Sequence, residues 1–398
     1  MRARLAIVVA VAALAGIAAG GAPASTVTRG TTWTAPVVLD GAGGSNGRVN
    51  AAIAGDTAAV MYNGFAHVFY AAQSGGEWVL RHARFGPSPL FETLDGEGGG
   101  HGRTTYSVGS DLSAVVYGGE IHVFYLNDAT GVLRHAFFTG TVWRFRNLDG
   151  ASHRGGRIFA DLGRASVATV YDGLLEVFYL EQTGMDVRRA SYDGTAWTFQ
   201  DLDGDSTIGG HTIHDVGYNI AAASWGGSLH VLYYEADPAY DGELGWARDA
   251  AFDGTSWTYV RAFRANTIWP GKTLSLGVVA DNDVYVAYNT TIQGDPRLRW
   301  RRWNGAVWSD SSVLVETLYG DVSAPTLWVT AGGFPTLAFF DQATVYFTWS
   351  GDTVSQVYPG FSGTPSSTLV AGGVPRIYWG AGDLDGCCDS LLLRTSRP

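Results

Sequence analysis

A motif that returns every 54 or 55 residues constrains this chain more than any other feature. At that period each copy is one supersecondary unit, and it buries its apolar surface against the next copy. Residues 121–150 read IHVFYLNDATGVLRHAFFTGTVWRFRNLDG. Three short strands alternate there with two turns. His122 to Tyr125 is β-branched and aromatic, residues 127–131 are turn formers, and Thr139-Gly140 makes the second turn. Related stretches begin at His67, Glu176, His230 and Tyr285, and weaker copies at Leu337 and Arg376, for seven units in all. A Leu-Asp-Gly mark keeps the same spacing at Leu39, Leu94, Leu148 and Leu202.

The two ends of the chain complement each other. Residues 30–41, GTTWTAPVVLDG, match the close of a unit but lack the strands that precede it, and the last unit stops after its second marked strand. Supplying the missing strand from the N-terminus closes a ring and removes the open sheet edge. A further strand of small and β-branched residues precedes each unit, as in 113–117, 166–171 and 220–225. The expected fold class is therefore all-β: a seven-bladed β-propeller of four-stranded antiparallel blades, closed by the N-terminal strand and forming one domain over residues 25–398. Polar, Gly-rich links between units carry the pairs Gly102-Arg103, Gly156-Arg157 and Gly210-His211. As the longest loops they offer binding surface, or they simply cross between blades.

Residues 1–24 read as a signal peptide. Arg2 and Arg4 precede an apolar run, and Ala22-Pro23-Ala24 is a small-residue cleavage site. The expected product is secreted. Its formal charge of −11, without a basic run, argues against nucleic acid as a partner, and no membrane association is expected once the leader is cleaved. Hydrophobic residues make up 46% and charged residues 16%, which suits a packed core. Cys387 and Cys388 are adjacent, so they cannot staple distant segments; a vicinal disulfide and free thiols both remain open.

The candidate binding residues lie on the hairpin. Its first strand opens with His67, His122, Glu176 or His230, and the return strand carries Arg81-His82, Arg134-His135, Arg188-Arg189 or Arg248-Asp249. Adjacent residues on a strand point to opposite faces, so each Arg and its neighbour diverge. With Trp143, Trp197 and Trp257, these groups would line clefts between blades that offer donors and a flat apolar wall, which suits a sugar. In the competing reading, each Trp only packs blade on blade and each Arg pairs with the Asp of a Leu-Asp-Gly turn. A His-rich cleft would also release its ligand near pH 6, as imidazoles charge.

The composite pattern Ala-Ala-Ala-Ser-Trp-Gly-Gly (221–227), Leu-His-Val-Leu-Tyr-Tyr (229–234), Leu-Arg-x-Ala and Asp-Gly-x-x-Trp resembles the fucose-binding propeller lectins of the Aleuria type. The resemblance spans roughly residues 53–308. It implies a propeller with sugar sites between blades, held in that family by an Arg, a Glu and a neighbouring aromatic. The matching pairs here are His67 with His82, His122 with His135, Glu176 with Arg189, His230 with Asp249, and Tyr285 with Trp300. None keeps the Arg-Glu pair, and the family commonly has six blades.

The expected function is a non-catalytic, lectin-like protein whose partners are extracellular glycans. The alternatives are a protein-binding or structural propeller and a glycoside hydrolase or sialidase-like enzyme. Residues 191–197 approach a sialidase Asp-box but are one residue short, so Asp193 and Asp253 read as turn formers. Glycoside hydrolysis needs two carboxylates at a fixed separation, and none stands out from the repeats. No cofactor and no metal are expected: residues 201–212 lack the Gly and Glu of a calcium loop, and His211 with His214 is weak as a zinc signal.

Overall fold

The computed structural model describes residues 37–395, apart from 163–164, 241–243, 267–273, 293–294, 311, 317–321, 330–334, 342–343, 350–353, 360–364, 372–373 and 382–389. The leader and both cysteines lie outside the described residues. Seven four-stranded antiparallel sheets are present. In blade two the inner strand is Val108–Tyr117, followed by the second, Glu120–Asn127, the third, Val132–Phe138, and the outer, Trp143–Asp149. Blades one, three, four, five, six and seven begin with inner strands Ile53–Tyr62, Val167–Tyr171, Val216–Trp225, Leu274–Ala280, Val322–Val329 and Pro365–Ala371. The seven inner strands touch in cyclic order, the last against the first. The outer strand of blade seven is Val37–Asp40, paired antiparallel with Ser390–Thr395. The expected propeller and its closure by the N-terminal strand are both found.

The ring has no single central core. Its apolar side chains are buried in layers between adjacent blades. One layer joins Val60, Phe69 and Leu80 of blade one to Ile121, Val123 and Tyr125 of blade two; another joins Phe124 and Leu133 to Val177 and Tyr179 of blade three. Each second strand thus faces protein on both sides, which is why its sequence is a continuous apolar run and not an alternating one. Full burial of one such Phe contributes about 1.5–3 kcal/mol.

Two devices lock neighbouring blades. Inner and second strands join through two-residue turns with positive φ at both positions, as at Asn63-Gly64, Gly118-Gly119 and Asp172-Gly173, the signature of a type I′ hairpin. In blades one, two and three the tyrosine that ends the inner strand then donates to the turn carbonyl of the next blade: Tyr62 to Gly119 at 2.9 Å, Tyr117 to Gly173 at 2.9 Å, and Tyr171 to Gly227 at 2.8 Å. On the opposite face lie residues 41–52, 96–107, 150–162 and 204–215, which lead from the outer strands of blades seven, one, two and three toward the next inner strands.

Candidate active site

The arginines of the return strand are anchors of this ring. The carboxylate of Asp95, wholly buried, ends the outer strand of blade one and accepts four hydrogen bonds. Two come from the backbone N–H groups of Gly96 (3.0 Å) and Thr104 (2.6 Å), and two cross to blade two, from the Tyr125 hydroxyl (2.6 Å) and Arg134 Nε (2.8 Å). Arg134 also donates to Asn147 Oδ1 and to the Gly102 carbonyl, each at 2.7 Å. The set recurs as Asp40, Tyr70 and Arg81, as Asp149, Tyr179 and Arg188, and as Asp203, Tyr233 and Arg248. Each guanidinium nitrogen of Arg81, Arg134, Arg188 and Arg248 meets a protein partner and the four side chains are buried, so they are not presented to a sugar. The competing reading, in which each Arg pairs with the Asp of a Leu-Asp-Gly turn, is the one the structure shows, with the partner Asp on the preceding blade.

The other residue of each pair points to the following blade, as strand alternation requires. His67 and His82 meet Nδ1 to Nε2 at 2.9 Å, and His82 Nδ1 meets Glu92 at 2.9 Å. A carboxylate can only accept here, so His82 donates to Glu92 and His67 donates to His82. In blade two His122 Nδ1 meets His135 Nε2 at 2.9 Å, but Arg146 occupies the place of Glu92 and donates to His135 Nδ1 at 3.1 Å. The direction of donation is therefore reversed: His135 donates to His122. Blade three uses a bidentate pair, Arg189 to Glu176 at 2.7 and 2.5 Å, braced by Ser191. Blade four joins His230 to Asp249 at 2.9 Å. The tryptophan of the next blade closes each seam. Trp143 stands edge-on over His82 with ring centres 5.4 Å apart, Trp197 over His135 at 5.5 Å, and Arg189 lies 5.4 Å from the Trp257 ring.

These seams correct the expected open clefts. His82, His135, Glu176 and Asp249 are all at least nine-tenths buried, and the tryptophan fills the space meant for a ligand. Pairing each polar group with another is what makes their burial tolerable. The expected release near pH 6 is corrected as well. Burial, with the nearby His82 and Arg84, lowers the pKa of His67 to about 4. Burial likewise lowers His122 to about 4. Asp193 and Asp253 do cap turns: Asp193 accepts from Thr195 N at 2.7 Å and Ala196 N at 2.8 Å, and Asp253 from Thr255 N and Ser256 N at 2.8 Å each.

Blade four breaks the pattern. Glu235, wholly buried at the end of the second strand Ser228–Ala236, occupies the repeat position of Ala72, Asn127 and Glu181. Arg261, on the outer strand Trp257–Asn266, replaces Thr93, Asn147 and Asp201. Arg261 donates to Glu235 through Nε at 3.0 Å and Nη2 at 2.7 Å. His214, from the link preceding blade four, places Nδ1 2.9 Å from the same carboxylate, and Thr212 Oγ1 donates to it at 3.1 Å. Burial alone would raise the pKa of Glu235, but the bonds from Arg261 and His214 and the charge of Arg248 hold it below the ordinary value. The carboxylate is therefore ionised, and it fixes the imidazole with Nδ1–H inward and Nε2 outward.

Around this dyad, the side chain of Arg261 is 43% exposed and that of His214 30%. Tyr259, two residues before Arg261 and on the same strand face, meets His211 with the rings tilted and their centres 4.4 Å apart. Burial and the charge of Asp203 raise its pKa, so its hydroxyl stays protonated. Arg261 and Arg264 both approach the Trp246 ring, at 5.2 and 5.3 Å. The cluster offers an oriented imidazole and a cation, both part-exposed, with Tyr259 on the same face of the strand that carries the cation. Among the described residues no group of three or more His, Cys, Asp or Glu side chains is placed to hold a metal ion. Glu235 and Arg261 lie outside the residues that the sequence singled out. Both stand at regular places in the repeat, five residues after His230 and four after Trp257, but each departure reads as drift until the fold brings the two side chains together.

No protein-family model and no curated protein matches the chain. Solved structures share its fold. A GH93 α-L-arabinofuranosidase of Fusarium graminearum with arabinobiose aligns with a TM-score of 0.50 at 10% identity, over 75% of this chain and 96% of that one. An ulvan lyase of polysaccharide lyase family PL25, bound to -[GlcA(1-4)Rha3S]-, aligns at 0.51 and 14% identity over 87% and 93%. A Hadza microbial sialidase aligns at 0.51 and 12% identity over 83% and 73%. These matches carry the fold. They correct the expectation of a non-catalytic lectin: the three propellers named here are each described as an enzyme acting on carbohydrate. Among the described residues no helix is long and apolar enough to cross a membrane.

Proposed function

We propose that this chain is a secreted carbohydrate-active enzyme that cleaves uronate-containing polysaccharide by β-elimination at the blade-four cluster. The observation that carries the reading is the imidazole of His214, oriented by a buried carboxylate and flanked by the half-exposed guanidinium of Arg261. The outward N–H groups of Arg261 neutralise the uronate carboxylate and so acidify the proton on the adjacent ring carbon C5. His214 Nε2 takes that proton as general base. The C5–H electron pair forms a C4=C5 double bond, the C4–O bond breaks, and the departing glycosidic oxygen takes the proton of the Tyr259 hydroxyl. Solvent and His214 then restore the starting protonation, and no water is consumed. Support comes from the ring shared with a lyase whose described ligand contains glucuronate. An extracellular glycan partner follows from this reading, and the apolar leader of residues 1–24 agrees with it.

The test is incubation with a panel of uronate polysaccharides while following the ultraviolet absorbance of the unsaturated product. His214→Ala should lower kcat by about 10²–10⁴-fold. Arg261→Ala should chiefly weaken turnover of the charged substrate. New reducing ends without unsaturation would identify a hydrolase and refute the elimination.

A further inference from the structure

Two links on the same face lead toward the blade-four cluster. Link 96–107 presents Tyr106, 54% exposed, and link 150–162 presents Phe159, 70% exposed. Each also carries an arginine laid on the outer strand of the blade it enters: Arg103 lies 5.6 Å from the Phe145 ring, and Arg157 lies 4.5 Å from the Phe199 ring. The stacking leaves the edges of each guanidinium for hydrogen bonding. Arg157 spends Nε on the Leu148 carbonyl at 2.7 Å. Neither arginine makes an ion pair among the described residues, in a chain whose net charge is −11. In blade four the same place is taken by His211 on Tyr259, within the cluster itself.

We propose that links 96–107 and 150–162 form an extended track for an acidic polysaccharide, leading across blades two and three into the blade-four cluster. Tyr106 and Phe159 stack on the apolar faces of pyranose rings, and Arg103 and Arg157 bind their carboxylates. An arginine at the same place in both links, with an exposed aromatic two or three residues further on, matches a polymer with a charge and a ring in every residue. Several weak contacts along one chain would sum to useful affinity. The inference rests on reading the cluster as a polysaccharide-cleaving site, and its test separates the two.

The full chain is run in native gels containing polygalacturonate or, as a neutral control, dextran. The wild type and His214→Ala should both be retarded by polygalacturonate and not by dextran. The paired variants Y106A/F159A and R103A/R157A should each lose at least about fivefold in affinity, equivalent to one lost aromatic contact. Their unfolding midpoints are measured alongside to verify the fold. On substrates, both pairs should raise KM for the polymer while leaving a tetrasaccharide unaffected. Retardation lost in the track variants, without cleavage by the wild type, upholds the track and refutes the active-site reading. Cleavage with retardation unchanged in both pairs, or no retardation of the wild type, overturns the track.

Discussion

Replacing His122 with glutamine isolates the cost of charging one buried imidazole. His122 is 3% exposed and accepts from His135; beyond them lie Arg146, Tyr192 and, 4.0 Å away, Glu120. Burial is the main cause that lowers its pKa from 6.5 to about 4; Arg146 adds to it, and a backbone hydrogen bond with Tyr117 opposes it. Above pH 6.5 the imidazole is neutral in both states, and its contribution to stability is complete. Between 6.5 and 4 the unfolded chain takes up a proton that the folded ring refuses, so stability falls, and below 4 the loss levels off. At about 1.4 kcal/mol per pH unit, that gap amounts to about 3 kcal/mol. The glutamine amide oxygen still accepts from His135 but does not titrate. Denaturant unfolding of both proteins, followed by tryptophan fluorescence from about pH 7.5 to about pH 4.5, gives a difference curve. In that curve the other titrating groups cancel. The wild type should lose about 3 kcal/mol relative to the variant, nearly all of it below pH 6.5. A flat difference, or an NMR titration of His122 centred near its ordinary value, would refute the burial argument.

Three further outcomes follow from the blade contacts. Arg134→Met strands the buried Asp95 carboxylate with three of its four donors and should cost about 3–5 kcal/mol in unfolding free energy. A double-mutant cycle with Asp95→Asn should show strong coupling, and additivity would place the stabilisation elsewhere. Gly102→Ala sets a Cβ 2.1 Å from the Phe145 carbonyl at a backbone φ of +89°, so a loss of about 1–3 kcal/mol is expected from thermal unfolding; an unchanged midpoint would contradict the close approach. Tyr117→Phe removes one bond to the Gly173 carbonyl and should cost about 0.5–1.5 kcal/mol, with the far-ultraviolet spectrum retained.

The sequence by itself carried the period, the four-strand unit and the ring closure. Each rests on local signals that recur: turn residues at fixed offsets, β-branched and aromatic runs, and two complementary ends. It also foretold that Arg134 and His135 diverge, because alternation along a strand is a local property. Only the tertiary structure decided which partners these side chains meet. The Asp95 carboxylate that holds Arg134 lies 39 residues earlier, on another blade, and Trp197, which seals His135, arrives from the blade beyond. In a list of residues, a polar pair beside an aromatic reads equally well as an open sugar cleft and as a filled seam. The distinction is burial, which depends on how closely blades pack around the ring. The blade-four cluster was hidden for a related reason: His214, Glu235 and Arg261 come from a link and two strands, and each departure by itself reads as drift of the repeat until folding brings the three together. Repetition fixes the architecture of this protein; its candidate chemistry lies where the repeat is broken, and which breaks converge is settled only in three dimensions.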